Sequence, residues 1–225
     1  MSVWAILVAA GRGDRLGLDR PKAFARLRGR PLLAESLERL DDAEWVDAIV
    51  VAAPAGWEEP ATLLAEELGC GKVVSVVTGG AERTDSVRLG LAEVADDAAA
   101  VLVHDAARPF LPPDVIERVL VALSEGWDAV VPGVPIPDTV KRVEGDAVVE
   151  TLDREELVAV QTPQAVVAQV LRKALADSSA APASDCAALV ERAGGRVKVV
   201  PGDQRLVKVT DAADLELLER LLADE

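Results

Sequence analysis

At 225 residues, half of them apolar, the chain has the size and hydrophobicity of one globular domain with a large core. Its formal charge of −15 argues against nucleic acid or an anionic membrane as a partner, and a chain with no Tyr and two Phe offers little surface for stacking single strands. Two cysteines without CxxC spacing and a single histidine argue against a structural zinc site and point to thiols of a reducing, cytoplasmic compartment.

The first apolar run, Val3–Val8, reads as a strand. It has no basic leader, is short for a signal peptide, and enters a glycine-rich stretch. Further strands are expected at Ala48–Ala52, Lys72–Val77, Ala100–Val103, Ala129–Val131 and Arg196–Val200. Between them the helical pattern falls on Pro31–Leu40, Gly56–Leu68, Thr84–Val94, Pro113–Ser124, Pro163–Ala176 and Ser184–Ala193. A last helix is expected from Asp211 to about Leu222, capped by Thr210. Strands apolar throughout and alternating with helices imply an α/β fold. The expectation is a Rossmann-like three-layer sandwich with a mostly parallel twisted sheet, in a single domain spanning 1–225. No run approaches the roughly 20 apolar residues of a membrane span.

One region, about 134–160, breaks the alternation. There "TVKRV" and "AVVETL" flank "EGD", a hairpin pattern with Gly145 at the turn. An isolated hairpin is marginal. This one is expected to project as an arm and to be covered by a second copy of the chain, giving a homodimer.

The stretch after the first strand, "AAGRGDRLGLDRPKAF" (Ala9 to Phe24), holds Gly11, Gly13 and Gly17. Their spacing is G-x-G-x-x-x-G, one residue off the dinucleotide fingerprint, and no acid ends the second strand to hold a ribose. No G-x-x-x-x-G-K-[ST] run exists, so a P-loop is absent as well. Arg12, Arg15, Arg20 and Lys22 outnumber Asp14 and Asp19, making the stretch basic in an acidic chain. Backbone donors from Ala9, Ala10, Gly11 and Gly13, with Arg15 and Lys22 beside them, suit a nucleoside triphosphate. The two cations would neutralise charge that builds during phosphoryl or nucleotidyl transfer.

This stretch resembles the A-A-G-x-G-x-R…P-K signature of sugar-nucleotide pyrophosphorylase-like nucleotidyltransferases. "GGAERTDSVRLGL", "VHDAARPF", "DTVKRV", "DREELVAVQTPQ", "SDCAALVERAG" and "RLVKVTDAADL" follow in the order of one family among them. Over nearly its whole length the chain resembles the 2-C-methyl-D-erythritol 4-phosphate cytidylyltransferase family. The resemblance implies CTP and an alditol phosphate as substrates, a divalent cation such as Mg²⁺, and a dimer. Mg²⁺ would be held mainly by the CTP phosphates, with Asp105 as a possible ligand. Arg15, Lys22, Arg154 and Lys208 would be catalytic. Gly80 and Ser86 would meet the nucleotide. Asp105 would serve both subsites, and Arg108, Thr139 and Thr162 would meet the acceptor. Arg154 would cross from one subunit to the other.

Bland readings stand beside these. Thr84, Asp85 or Ser86 caps a helix, Thr162 caps the helix at Pro163, Asp105 and Arg108 form a local ion pair, and Lys208 is a strand-end lysine. His104, though the only histidine, is read as packed at a strand end and not as a base, because a phosphate nucleophile needs no deprotonation. Val8 stands where the family often has Pro, and Ser184 where Thr is frequent; neither change removes a charge. Two other functions compete: cytidylyl transfer to another alditol phosphate such as ribitol 5-phosphate, and a non-catalytic nucleotide sensor.

Overall fold

The computed structural model describes residues 2–221 other than 12, 14, 15, 18 and 177–182. The chain opens with β1 (Val3–Val8), a 3-10 turn at Lys22–Phe24, and a small ladder of β2 (Arg26–Leu27) and β3 (Arg30–Pro31). It continues through α1 (Leu32–Asp41), β4 (Ala48–Ala53), α2 (Glu58–Leu68), β5 (Val73–Thr78), α3 (Arg83–Ala92) and β6 (Ala100–Asp105). Then come α4 (Pro113–Ser124), β7 (Ala129–Pro135), β8 (Val140–Glu144), β9 (Ala147–Leu152), β10 (Val158–Val160) and β11 (Gln164–Val167). The chain ends with α5 (Ala168–Ala176), α6 (Cys186–Arg192), β12 (Val197–Pro201) and α7 (Ala212–Leu221).

Strands β5, β4, β1 and β6 pair in parallel, as do β7 and β12. Short β11 is inserted between β6 and β7, antiparallel to both, and β10 also runs antiparallel to β7. The strands alternate between two cores because successive side chains point to opposite faces. Ala5, Leu7, Ile49, Val51 and Leu102 join Leu33, Leu37, Ala61, Ile116 and Val119 of α1, α2 and α4. Ile6, Val50, Val101 and Val103 join Val87, Leu91, Leu171 and Val190 of α3, α5 and α6. Helices therefore cover both faces, and the inner strands β1, β4 and β6 are buried as a parallel sheet requires.

The expected arm is present as its own two-stranded sheet, with Gly145 at positive φ in the turn. It stands clear of the domain. Val143, Val148 and Val149 are all exposed.

Three expectations need correction. The helix expected from Pro163 starts at Ala168, because 164–167 is β11. A short apolar stretch cannot be assigned by periodicity, and here the slot between β6 and β7 decides. The cap of α7 is Asp211, whose carboxylate accepts from Ala213 N and Asp214 N at 3.0 and 3.2 Å; the Thr210 hydroxyl donates instead to the Lys208 carbonyl. The third is Thr162, which caps no helix.

Gln164, fully buried at the head of β11, ties that strand to α6. Its Oε1 accepts from Cys186 N at 2.9 Å, and its Nε2 donates to Asp185 at 2.8 Å. Asp185 in turn caps α6 by accepting from Ala188 N. Gln164→Leu strands a backbone donor, and the expected loss is about 1–3 kcal/mol. A urea midpoint lowered at unchanged m-value is the predicted result. An unchanged midpoint would show that the tie contributes nothing.

Candidate active site

The parallel strands end along one edge, where open α/β sheets form their ligand crevice. Three loops are pinned there to neighbouring strand ends. Ala9 N donates to the Ala52 carbonyl, Ala106 N to Val8, and Gly79 N to Ala53, at 2.7–3.0 Å. Between them lies a cavity of about 160 Å³ lined by Ala9, Ala10, Gly11, Lys22, Gly80, Arg83, Ser86, Asp105 and Lys208, among others.

Two glycines permit this closeness. A Cβ on Gly79 would stand 2.3 Å from the Ala10 Cβ, so only glycine lets the turn after β5 meet the loop after β1. Gly13 has φ +74°, and a Cβ there would stand 2.7 Å from the Lys22 Cβ. The glycine loop thus packs directly on the lysine that follows it. The Lys22 ammonium donates to the Val209 carbonyl at 2.7 Å, which brings the late segment before α7 to the same wall. Arg15, expected beside Lys22, lies outside the described residues.

Asp105 ends β6 and is nearly buried. Its Oδ1 accepts from Arg83 Nε at 2.9 Å and its Oδ2 from Lys208 Nζ at 2.6 Å. Burial alone raises a carboxyl pKa, but Arg83 and Lys208 together outweigh it and hold Asp105 well below the usual carboxylate range. The bland alternative, a local ion pair of Asp105 with Arg108, is not formed among the described residues. The Arg108 guanidinium instead donates to the carbonyls of Leu206 at 2.6 Å and Val160 at 3.5 Å, and Arg108 is not among the residues lining the cavity.

Ser86 and Thr162 are both buried, and their hydroxyls are engaged within the protein. Ser86 Oγ donates to the Glu82 carbonyl and accepts from Gly80 N at 3.1 Å. It shapes the Gly79–Glu82 turn, while Asp85 accepts from Glu82 N at 3.4 Å at the start of α3. Thr162 Oγ1 accepts from Asp105 N at 3.1 Å and lies 3.0 Å from His104 Nδ1. The other ring nitrogen, Nε2, is 3.1 Å from the Arg108 carbonyl, which can only accept. Nε2 therefore carries the proton, Nδ1 is bare, and the Thr162 hydroxyl donates to it. His104 is packed, neutral and structural.

Thr139 and Arg154 lie at the base of the arm, exposed and away from the cavity of their own chain. Arg154 donates to the Pro137 carbonyl. Sequence reasoning passed over Arg83. The signal was a cation in the first turn of a helix, where the backbone dipole favours anions, so that Arg83 needs a partner.

The matching family model is 2-C-methyl-D-erythritol 4-phosphate cytidylyltransferase, over residues 3–224. The chain belongs to this family. It is 49% identical to the enzyme of that name from Saccharopolyspora erythraea, over 99% of this chain and 100% of that one. It is 50% identical to the one from Nocardia farcinica, over 98% and 94%. The crystal structure of the Thermus thermophilus enzyme is 36% identical and superposes with a TM-score of 0.80, covering 97% of this chain and 98% of that one. Membership makes the chain a nucleotidyltransferase. Among the described residues, no helix is long and apolar enough to cross a membrane.

The buried histidine gives a pH prediction. Burial pushes the His104 imidazole down to about 4, against about 6.5 when unfolded. Between those values the unfolded chain binds the proton and the folded chain does not. This contribution to stability is complete above about pH 6.5 and is lost as pH falls toward 4, by on the order of 3 kcal/mol. His104→Gln, whose amide can still donate to the Arg108 carbonyl, should flatten that loss. The comparison is of urea midpoints at about pH 7 and about pH 4.5; parallel pH dependence in both proteins would refute it.

Proposed function

We propose that the protein joins CTP and 2-C-methyl-D-erythritol 4-phosphate to give the cytidine diphosphate alditol and pyrophosphate, a step of non-mevalonate isoprenoid synthesis. The observation that carries this is the convergence of the glycine loop, Lys22, Asp105 and Lys208 on one cavity at the carboxyl ends of β1 and β6. Relatives matched over 94% and 100% of their own length, both named 2-C-methyl-D-erythritol 4-phosphate cytidylyltransferase, support the choice of both substrates.

An oxygen of the acceptor phosphate attacks the α-phosphorus of CTP. A P–O bond forms there, the bond to the bridging oxygen of the β-phosphate breaks, and pyrophosphate leaves with the electron pair. The nucleophile is already an anion near neutral pH, so neither a base nor a covalent enzyme intermediate is needed. Ala10, Gly11 and Gly13 hold the phosphate tail through backbone donors; Ala9, whose N–H is given to the Ala52 carbonyl, lines the cavity without donating to it. The turn at Gly80, shaped by Ser86, holds the nucleoside. Lys22 and Arg15 stabilise charge at the α-phosphorus. Asp105 takes an acceptor hydroxyl, and Lys208 places the acceptor phosphate. Thr162 acts by fixing the Asp105 backbone.

Arg108, whose guanidinium meets the Leu206 and Val160 carbonyls and keeps a buried Nε without a partner among the described residues, is assigned to the acceptor phosphate. Thr139 and Arg154 complete the acceptor site of a second copy, reached through the exposed arm and the half-exposed valines of β10. The two free thiols, Cys70 and Cys186, fit a reducing, cytoplasmic compartment.

A divalent cation fits the triphosphate better than a side-chain cage. Among the described residues, no group of three or more His, Cys, Asp or Glu is placed to hold a metal, and both Asp105 oxygens already meet cations. When bound, Mg²⁺ neutralises the phosphates and polarises the phosphorus under attack.

Pyrophosphate release from CTP, with each alditol phosphate offered separately, tests the assignment. Release with methylerythritol phosphate is expected. Release only with ribitol 5-phosphate would move the acceptor, and nucleotide binding without release for any acceptor would make the protein a sensor. In the same assay Lys22→Ala should lower turnover on the order of 10²–10³-fold with the fold intact by circular dichroism, as for other lost transition-state donors; wild-type turnover in that variant would remove Lys22 from the chemistry. Replacing residues 140–152 by a short Gly-Ser linker should halve the particle mass in light scattering. A particle still of dimer mass would place the interface elsewhere.

A further inference from the structure

Arg83 is the first residue of α3, directly after the turn assigned to the nucleoside, yet its side chain reaches the end of β6. The placement is electrostatically costly. The first turn of a helix carries partial positive charge, and Arg83 is largely buried there. Its bonding is incomplete as well. Nε meets Asp105, Nη1 meets only the weak acceptor Cys186 Sγ at 3.6 Å, and Nη2 is buried with no partner among the described residues. A buried donor left unmatched is uncommon and needs a reason.

The reason lies in Asp105. Lys208 holds one carboxylate oxygen from a side chain still substantially exposed, whereas Arg83 holds the other from inside the wall of the cavity. Lysine is a point charge on a flexible stem and does not set an orientation, whereas the planar guanidinium does. Resting on the reading of Asp105 given above, we infer that Arg83 is a positioning residue of the transfer. From the nucleotide side of the cavity, it fixes the Asp105 carboxylate in the plane in which that group meets the acceptor. The groups around Asp105 are Arg83 on α3, Lys208 before α7, Cys186 on α6, Lys22 across the cavity, and His104 and Arg108 on its own segment.

The test compares Arg83→Met and Arg83→Lys with wild type, using CTP and methylerythritol phosphate. Met is expected to raise the acceptor KM about tenfold and lower kcat, while the KM for CTP stays within about twofold. Lys, which returns the charge without the planar fork, should fall between. Two results overturn the inference: an unchanged acceptor KM, or an equal rise in both KM values. Should Arg83→Met not fold, Arg83→Lys decides alone, by whether the acceptor KM rises without that of CTP.

A wild-type protein inactive with every acceptor would sink the functional reading. The hold on Asp105 is then read by ¹³C NMR titration of its carboxyl carbon. An upward-shifted titration in a folded Arg83 variant supports the hold, and coincident curves reject it.

Discussion

The site depends on one buried carboxylate. Asp105 sits at the end of a strand that is buried along its whole length, where an unpaired charge is prohibitively costly. It is stable there because two cations come to it, one from the start of α3 and one from the segment before α7. Those three residues are far apart in the chain, and none is positioned by local structure alone. The pairing gathers the turn after β5, the end of β6 and the late loop around one cavity. Lys22 binds the same late loop through the Val209 carbonyl, so the glycine loop is drawn in as well. An ion pair of this kind contributes little net stability, but breaking it leaves a charge without compensation. Its consequence is geometric: it fixes where the walls of the cavity stand.

Around that carboxylate, groups that look reactive in the sequence serve as scaffolding. His104 and Thr162 form a chain from the Arg108 carbonyl to the Asp105 amide. Every proton in it is assigned by what its partner can accept. Ser86 uses both its donor and an acceptor lone pair inside the Gly79–Glu82 turn. These residues shape the backbone that meets a ligand. This is why residue type alone did not separate contact from support.

Much of the fold was legible because its strongest signals are repetitive. The strand runs at 3–8, 48–53 and 100–103 are apolar throughout, as strands covered on both faces must be, 73–78 at the sheet edge is apolar but for Ser75 and Thr78, and helical patterns lie between them. What escaped was set by tertiary context. The residues 164–167 resemble the start of a helix after a proline, yet they complete the sheet because a slot exists between β6 and β7. Of the expected site residues, the loop residues Ala9, Ala10 and Gly11 meet Lys22, Gly80, Ser86, Asp105 and Lys208 in one cavity. Arg108 does not line it, Thr139 and Arg154 project from the arm, and Arg83 was missed because its partner lies 22 positions away. No periodicity encodes such a contact.

The charge of the protein and of its site point in opposite directions, and this bears on how an anion is chosen. The chain carries −15 overall, yet Lys22, Arg83 and Lys208 outnumber Glu82 and Asp105 among the residues lining the cavity. A polyanion is repelled by most of the surface and attracted at one concave point, where low-dielectric walls concentrate the field. That excess is confined to one cavity, where the backbone donors of the glycine loop add to it. A compact triphosphate is held wholly within such a point, whereas a nucleic acid backbone continues onto the acidic surface around it.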